Sequence, residues 1–356
     1  MKLAKLLICL GLLIYSLFLA DVSLLGAESD SKSPVDMLKL SADSEKKVNF
    51  QGIRKFERHF GERVYKAKVF HQAPDKWRLE FLEPEVRKGE ILILDGRHFW
   101  RSPREKRRGF RHRSLRRPLQ TKDIERLVSN YKVETQGEEE IAGRKAFIIK
   151  CTGKYPGRPS LMLWVDEENF LRLKEERLSA DKKTTYRVEF EEIEFRGQIS
   201  PSHFKPPNGA KMQESRQRSE ELSLAQAAGQ LHFNVLLPKK VPQGFELGRV
   251  RIIRRKGRKA VLHLAYTDGL AQISLFEGTS DLPRRQAKRT APPSPEEQIL
   301  HQGKSLSVKH WGHLNVLKVK QNQINITLIS EIPRQELINM ITSLEKFEPE
   351  EVHSNK

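Results

Sequence analysis

Apolar and polar residues alternate along much of this 356-residue chain, and a period of two predicts β-strands. The clearest run is KWRLEFLE at 76–83, in which apolar residues occupy one face and charged residues the other. The run KTTYRVEFEEIEF at 183–195 changes phase at Glu191-Glu192, which predicts a β-bulge. Further strands are predicted at 48–60, 63–71, 89–96, 145–153, 160–170, 171–179 and 183–195.

Three segments have a helical period instead. Residues 33–48, 121–133 and 332–347 place apolar side chains at spacings of three and four. The acidic run GEEE at 137–140 predicts a solvated hairpin turn, and Asp268-Gly269 predicts a tight hairpin between two alternating runs. The pattern therefore indicates a mainly antiparallel β protein of the α+β class.

A change of pattern divides the chain. The segment at 204–221 contains two prolines, a glycine and no apolar period, which is typical of a linker. We predict a large domain before it and a smaller α+β domain after it. The expected organisation is a signal peptide at 1–27, a large domain at 28–205, a linker at 206–222, a small domain at 223–348 and a tail at 349–356.

Composition indicates a globular, exported protein. Hydrophobic residues make up 37% of the chain and charged residues 31%, which excludes a protein that crosses a membrane many times. The positive start, the apolar run at 6–20 and the small residues Gly26-Ala27 have the order of a cleaved signal peptide, so we expect a periplasmic protein. An uncleaved N-terminal membrane anchor is the alternative. After cleavage Cys151 is the single cysteine, which favours a buried thiol.

The chain carries a net charge of +19, and much of the excess lies at 97–117. Ten of those twenty-one residues are Arg or Lys, and Glu105 is the single acidic residue. Guanidinium groups bind phosphate and carboxylate groups in a bidentate manner, so an anionic partner is expected here unless the segment is only a solvated loop. Candidate anion-binding or partner-binding residues are Arg101, Arg104, Arg107, Arg108, Arg111 and Arg113.

Candidate catalytic chemistry is missing from the sequence. The eleven histidines are scattered, and no HExxH, GxSxG, GxGxxG or P-loop spacing occurs. The acidic residues alternate with basic or apolar ones, as on a solvent-facing sheet. We therefore expect a binding protein without a catalytic site, a metal or a cofactor.

Four stretches of the first region carry a family resemblance: FQGIRKFERHFGERVYKAKVFHQAPDKWRLEFLEP, ILILDGRHFWRSP, GEEEIAGRKAFIIK and LWVDEENFLRLKEERLSADKKTTYRVEFEEIEF. They resemble the LolA-type fold, and more closely its use in the RseB/MucB regulators. PQGFELGRV, AVLHLAYTDGLAQISLFEG and ELINMITSL are similar to the smaller C-terminal domain of those regulators. The segment at 101–118 departs from the pattern, because it is longer and more basic than the expected turn.

The resemblance implies a curved antiparallel half-barrel with helices on its concave face and an apolar cavity that accepts acyl chains. The large apolar residues on the predicted strands could either line that cavity or form only a sheet–helix core. The candidate lining residues are Trp77, Leu79, Phe81, Trp100, Trp164, Val188 and Phe190.

The resemblance also implies a function. We expect an RseB-like negative regulator of an extracytoplasmic-stress sigma factor, which binds the extracytoplasmic part of a membrane-bound anti-sigma factor. Its sensed ligand would be an acyl chain, a lipoprotein or a lipopolysaccharide. The alternatives are a periplasmic lipoprotein or lipid carrier of the LolA type, and an anionic-polymer binder that uses 97–117. Export argues against nucleic acid as the partner, and the sequence leaves a homodimer open.

Overall fold

The computed structural model describes residues 32–58, 63–96, 98–102, 121–214, 222–255, 257–280 and 295–348. Two antiparallel sheets account for most of this part of the chain. The prediction of a mainly antiparallel α+β protein is confirmed. None of the helices in the described ranges is long and apolar enough to cross a membrane.

The first sheet has eleven strands in the order β11-β5-β4-β3-β2-β1-β10-β9-β8-β7-β6. Consecutive strands are neighbours almost throughout, because each pair is joined as a hairpin. The strands are β1 (Phe50–Arg58), β2 (Arg63–Gln72), β3 (Lys76–Glu83), β4 (Ile91–Asp95), β5 (His98–Arg101), β6 (Tyr131–Ile141), β7 (Arg144–Gly153), β8 (Ser160–Asp166), β9 (Arg172–Leu178), β10 (Thr184–Phe195) and β11 (Lys211–Glu214).

The predicted bulge is present where β1 pairs with β10. Ile53 pairs with Glu192 and Arg54 with Phe190, so Glu191 is the extra residue. The bulge restores the phase of β10, which lets Phe190 and Ile193 both reach the apolar cluster of this sheet. Glu191 and Glu192 therefore lie at a β-bulge within β10 and not at a turn.

Two helices pack on the first sheet, α1 (Pro34–Ser44) and α2 (Thr121–Asn130). Met37, Leu38 and Ala42 of α1 and Ile124 and Leu127 of α2 are buried in one cluster. That cluster includes apolar side chains of β6, β7 and β8: Tyr131, Ile149, Cys151, Leu161, Leu163 and Val165. Burial of this kind contributes roughly 1.5–3 kcal/mol for each large apolar side chain.

The second sheet has seven strands in the order β13-β14-β15-β19-β18-β17-β16. A separate pair, β12 (Leu236–Pro238) with β20 (Leu344–Lys346), and two helices, α3 (Leu224–Gly229) and α4 (Arg334–Thr342), complete this unit. The seven strands are β13 (Glu246–Arg255), β14 (Arg258–Thr267), β15 (Gln272–Gly278), β16 (Glu297–His301), β17 (Lys304–Trp311), β18 (Leu314–Gln321) and β19 (Ile324–Ser330).

One carboxyl group is buried in the apolar core of the second unit. Glu277 on β15 is fully buried, and its Oε2 accepts a 2.9 Å hydrogen bond from the backbone N–H of Leu236. Its Oε1 has no hydrogen-bond partner in the described structure. Burial raises the pKa of Glu277 to about 8, so the carboxyl group is protonated in the folded protein at neutral pH.

The structure corrects one local prediction. GEEE at 137–140 lies within β6 and does not form a turn; the turn follows at Ala142-Gly143. β6 is the edge of the first sheet, so its carboxylates project into solvent, where they discourage pairing with another chain. β6 also has a register shift against β7 between Thr135 and Gly137. Residues 211–214, inside the predicted linker, form β11 of the first sheet.

Candidate functional site

One face of the first sheet is apolar across nearly its full width. Paired residues of neighbouring antiparallel strands point to the same side, so the register defines the face. One row runs from Leu163 through Glu175, Val188 and Phe56 to Tyr65. We call this side the apolar face. Since Leu163 packs with α1 and α2, the helices lie on this same face, as the resemblance implied.

Five of the seven predicted lining residues lie on the apolar face. Leu79, Phe81, Val188 and Phe190 are buried in one cluster, and Trp77 packs against it. Trp100 pairs with Ile93, so it extends from the opposite side of the sheet. Trp164 alternates with Leu163 along β8, but it is buried in the same cluster as Leu79, Phe81, Val188 and Phe190. Its indole N–H donates to Glu139 at 2.5 Å, and the Lys174 ammonium lies 4.0 Å from the ring centroid.

Charged groups are embedded in the middle of the apolar face. Arg172 on β9 pairs with Glu45 at 3.5 Å and with Glu175 at 3.3 Å. Arg54 on β1 is 9% exposed and lies over the Phe190 ring, with the guanidinium carbon 4.4 Å from the centroid. Burial lowers the pKa of the Arg54 guanidinium, and the charge of Glu45 opposes that effect. The apolar face therefore carries four charged side chains that are buried or nearly buried, which is rare unless such groups are paired.

A buried histidine ties α1 to the strands beneath it. His71 on β2 is fully buried and stacks on Trp77 with the ring centroids 4.0 Å apart. Its Nε2 lies 2.6 Å from the carbonyl oxygen of Glu45, and its Nδ1 lies 3.0 Å from that of Lys76. Burial lowers the pKa of His71, and a neutral imidazole can donate to only one of these acceptors.

Of the six predicted anion-binding arginines, Arg101 is the one that lies within the described residues. Arg101 lies on β5, and its Nε is 2.5 Å from Oε1 of the buried Glu90. Arg87 donates to the other oxygen of Glu90 at 2.7 Å and covers the Phe81 ring at 3.6 Å. Two arginines therefore share one carboxylate beside the apolar face. The other five predicted residues lie outside the described ranges: Arg104, Arg107, Arg108, Arg111 and Arg113.

The two sheets meet at a buried polar contact centred on Asp268, which we call the joint. Asp268 Oδ2 accepts a 2.9 Å hydrogen bond from the Tyr131 hydroxyl and lies 3.8 Å from Nε of Arg158. The Arg158 guanidinium donates two hydrogen bonds to Glu336 on α4, at 2.7 and 2.8 Å. Burial raises the pKa of Asp268, against the lowering effect of its hydrogen-bond donors.

Further contacts extend the joint on both sides. Asn130, at the end of α2, donates to the carbonyl oxygens of Gly244 and Asp268 at 3.0 Å each. Arg177 of β9 pairs with Glu331, and both side chains are almost buried. Leu270 of the β14–β15 turn packs against the cluster beneath the helices. The second sheet is therefore attached directly to the helix that covers the apolar face.

The described residues contain no group of three or more His, Cys, Asp and Glu that could hold a metal ion. Cys151 is buried between the sheet and the helices, as the sequence predicted, and burial raises the pKa of its thiol to about 12. A thiol with that pKa is almost fully protonated near neutral pH, so it is a poor nucleophile.

Comparison with known proteins finds one matching family and several solved structures with a similar fold. The family described as the MucB/RseB N-terminal domain matches residues 101–208, which contain α2 and β6 to β10. MucB in the Pseudomonas aeruginosa MucA/MucB complex is 19% identical, with a TM-score of 0.60 over 89% of this chain and 99% of that one. MucB in complex with the periplasmic part of MucA is 18% identical, with a TM-score of 0.58 over 88% and 99%.

Residues 101–208 are therefore similar to the MucB/RseB N-terminal domain family, and the chain as a whole has a fold similar to that of MucB. An uncharacterised protein of Methanocaldococcus jannaschii is also similar, with 21% identity over 266 residues, or 71% of this chain and 76% of that one. The structural comparison with MucB covers 89% of this chain, so it extends over residues of both sheets. The likeness therefore concerns the two-sheet architecture as a whole.

Sequence reasoning missed the charged groups of the apolar face, although one signal was available. Phe50, Gly52, Arg54 and Phe56 alternate in the first predicted strand, so an arginine occupies a position where the pattern calls for an apolar residue. The joint gave no such signal. Asp268 reads as an ordinary hairpin residue, and its partners lie 110 positions or more away in the chain.

We expect Gly269→Ala to destabilise the protein through the joint. Gly269 has φ +103, and a Cβ there would lie 2.5 Å from the backbone nitrogen of Leu127 on α2. The left-handed strain alone costs roughly 1–2 kcal/mol, and the steric clash adds to it. Gly137→Ala is the matched control, because Gly137 has φ +118 with open space around it. Urea denaturation of both variants measures the difference; equal losses would show that α2 does not restrict this turn.

Proposed function

We propose that the protein is a periplasmic regulator that binds the extracytoplasmic part of a membrane-bound anti-sigma factor. The single observation that supports this best is the likeness to MucB in its complex with MucA, which extends over 89% of this chain and 99% of that one. The two sheets and the joint between them form a scaffold suited to binding a partner. The protein holds its partner and does not transform it.

The second part of the proposal concerns a ligand. The apolar face offers large aliphatic and aromatic side chains with a few buried charges, which is the usual composition of a site for a small apolar molecule. We propose that the acyl chain of a lipid, a lipoprotein or a lipopolysaccharide binds there and lowers the affinity of the protein for the anti-sigma factor. Such coupling requires that the ligand prefer one state of the protein.

The experiment begins with identification of the partner. The tagged full chain is expressed in its native envelope and cross-linked, and the captured single-span membrane protein is identified by mass spectrometry. Its purified extracytoplasmic segment should then bind the protein with micromolar or tighter affinity in calorimetry. Deletion of the gene for this chain should raise transcription from the sigma factor's promoters. Unchanged transcription together with no binding would reject the regulatory function.

The same proteins separate a regulator from a lipid carrier. For a regulator, addition of a fatty acid weakens the affinity for the anti-sigma segment by about tenfold, a typical allosteric coupling. For a carrier, the fatty acid moves between vesicles in the presence of the protein and the affinity for the segment stays the same. An anionic-polymer binder would instead show binding to a polyanion that falls steeply as salt is added.

A further inference from the structure

Arg54 is a buried cation without a direct partner. Its Nε makes no hydrogen bond, and within the described ranges no carboxylate forms an ion pair with it. Its described contact is the stacked ring of Phe190. Buried arginines are normally paired, because an unpaired buried charge destabilises the folded state. The side chain is therefore kept at a cost that the packing around it does not explain.

The nearby carboxylates are already in use. Glu45 and Glu175 both pair with Arg172, which lies in the same patch of the apolar face. Their charges act on Arg54 from a distance, but neither forms an ion pair with it. Both carboxylates of the patch therefore pair with the guanidinium of Arg172, and the guanidinium of Arg54 has no direct ion pair.

The cross-strand neighbours of Arg54 on both sides are uncharged. Arg54 pairs across the strands with Ala67 on β2 and with Phe190 on β10. Ala67 pairs in turn with Phe81 on β3, and the row continues the apolar face. Arg54 therefore lies in the row of the apolar face between the methyl group of Ala67 and the ring of Phe190.

We propose that Arg54 binds the anionic group of an amphiphile, a carboxylate or a phosphate, while the hydrocarbon part of that molecule lies on the apolar face. This inference rests on the ligand part of the proposed function and adds the chemical class of the ligand. A planar guanidinium donates two parallel hydrogen bonds to either group, and the low polarity around it strengthens both. An uncharged amphiphile of equal length leaves Arg54 unpaired and binds more weakly.

The test compares three ligands with the same twelve-carbon chain: dodecanoate, dodecyl phosphate and dodecanol. Each is titrated into the full-length protein by calorimetry. At least one of the two anions is expected to bind about 10- to 100-fold more tightly than the alcohol, the range for a charge-assisted hydrogen bond. The relative affinities of dodecanoate and dodecyl phosphate distinguish a fatty-acid type of ligand from a phosphate-bearing lipid.

Arg54→Met tests the assigned residue. The variant is expected to lose the preference for the anion and to keep the affinity for dodecanol. Without ligand it should be at least as stable to heat as the parent protein, because an unpaired buried charge is removed. Arg78→Met is the matched control, because Arg78 lies on β3 on the opposite face, paired with Glu80 at 2.6 Å. That variant should retain the anion preference.

The outcomes separate this inference from the proposed function. Equal affinity for the alcohol and both anions, or an unchanged preference in Arg54→Met, overturns the role of Arg54 while acyl-chain binding stands. A ligand-free Arg54→Met that is markedly less stable, with its ligand preference intact, shows a purely structural residue. No binding of any of the three compounds overturns the ligand part of the proposed function together with this inference.

Discussion

Replacement of Arg158 by methionine is expected to lower the free energy of unfolding by about 3 kcal/mol, because it leaves the carboxylates at the joint without their cation. The Arg158 side chain is 1% exposed, and it holds Glu336 through two hydrogen bonds while it faces the buried Asp268. Methionine preserves much of the apolar volume of the arginine stem, so the loss reports the charge and its hydrogen bonds.

Arg334→Met is the matched control for this prediction. Arg334 also makes two hydrogen bonds to one carboxylate, that of Glu297, at 2.7 and 2.8 Å. Both of those side chains are far more exposed, so the expected loss is much smaller. Urea denaturation followed by far-ultraviolet circular dichroism measures both variants. A loss for Arg158→Met no larger than that for Arg334→Met would contradict a stabilising joint.

A second denaturation experiment, followed by both fluorescence and circular dichroism, shows whether the joint couples the unfolding of the two sheets. Trp311 is the single tryptophan of the second sheet, while Trp77, Trp100 and Trp164 belong to the first. A variant that keeps only Trp311 therefore reports the second sheet by fluorescence. We expect the fluorescence and circular dichroism transitions to coincide with Arg158 in place, and to separate in Arg158→Met.

Replacement of Glu277 by glutamine is expected to stabilise the protein by about 3 kcal/mol at pH 7, because the folded state then no longer has to hold a proton on a buried carboxyl group. Glutamine keeps an oxygen that accepts the hydrogen bond from the Leu236 N–H. The amide is neutral at every pH, so the dependence on protonation disappears.

The direction of the pH effect follows from the two pKa values. The pKa of Glu277 is about 8 in the folded protein, against an ordinary value of 4.5. Between these limits the unfolded chain releases a proton that the folded protein retains, so stability falls as pH rises. Glu277→Gln should therefore match the parent protein near pH 4.5 and exceed it increasingly up to pH 8. Denaturation at several pH values tests this, and a constant difference would refute it.

Much of the fold could be predicted from sequence because alternation is a local signal. The strand KWRLEFLE and the bulge at Glu191-Glu192 both depend on which neighbouring side chains are apolar, and both predictions are confirmed. GEEE was misread because charge alone does not distinguish a turn from an exposed edge strand. The edge position of β6 depends on the order of eleven strands, which no local pattern contains.

The candidate site was harder to predict for the same reason. Alternation places Trp77, Leu79 and Phe81 on one face, and the structure shows them there. It cannot relate the faces of distant strands, so Trp100 was grouped with residues that lie on the other side of the sheet. The pairing of Arg158 with Glu336 spans 178 positions, and only the assembled chain brings the two together.

The position of Leu127 has a mechanical consequence. Its side chain is buried in the cluster between α2 and the first sheet, and its backbone abuts Gly269 at the tip of the β14–β15 turn. A tilt or shift of α2 cannot occur without displacing that tip, because there is no free space between them. A change in the position of α2 would therefore be transmitted to the second sheet at the contact between Leu127 and Gly269.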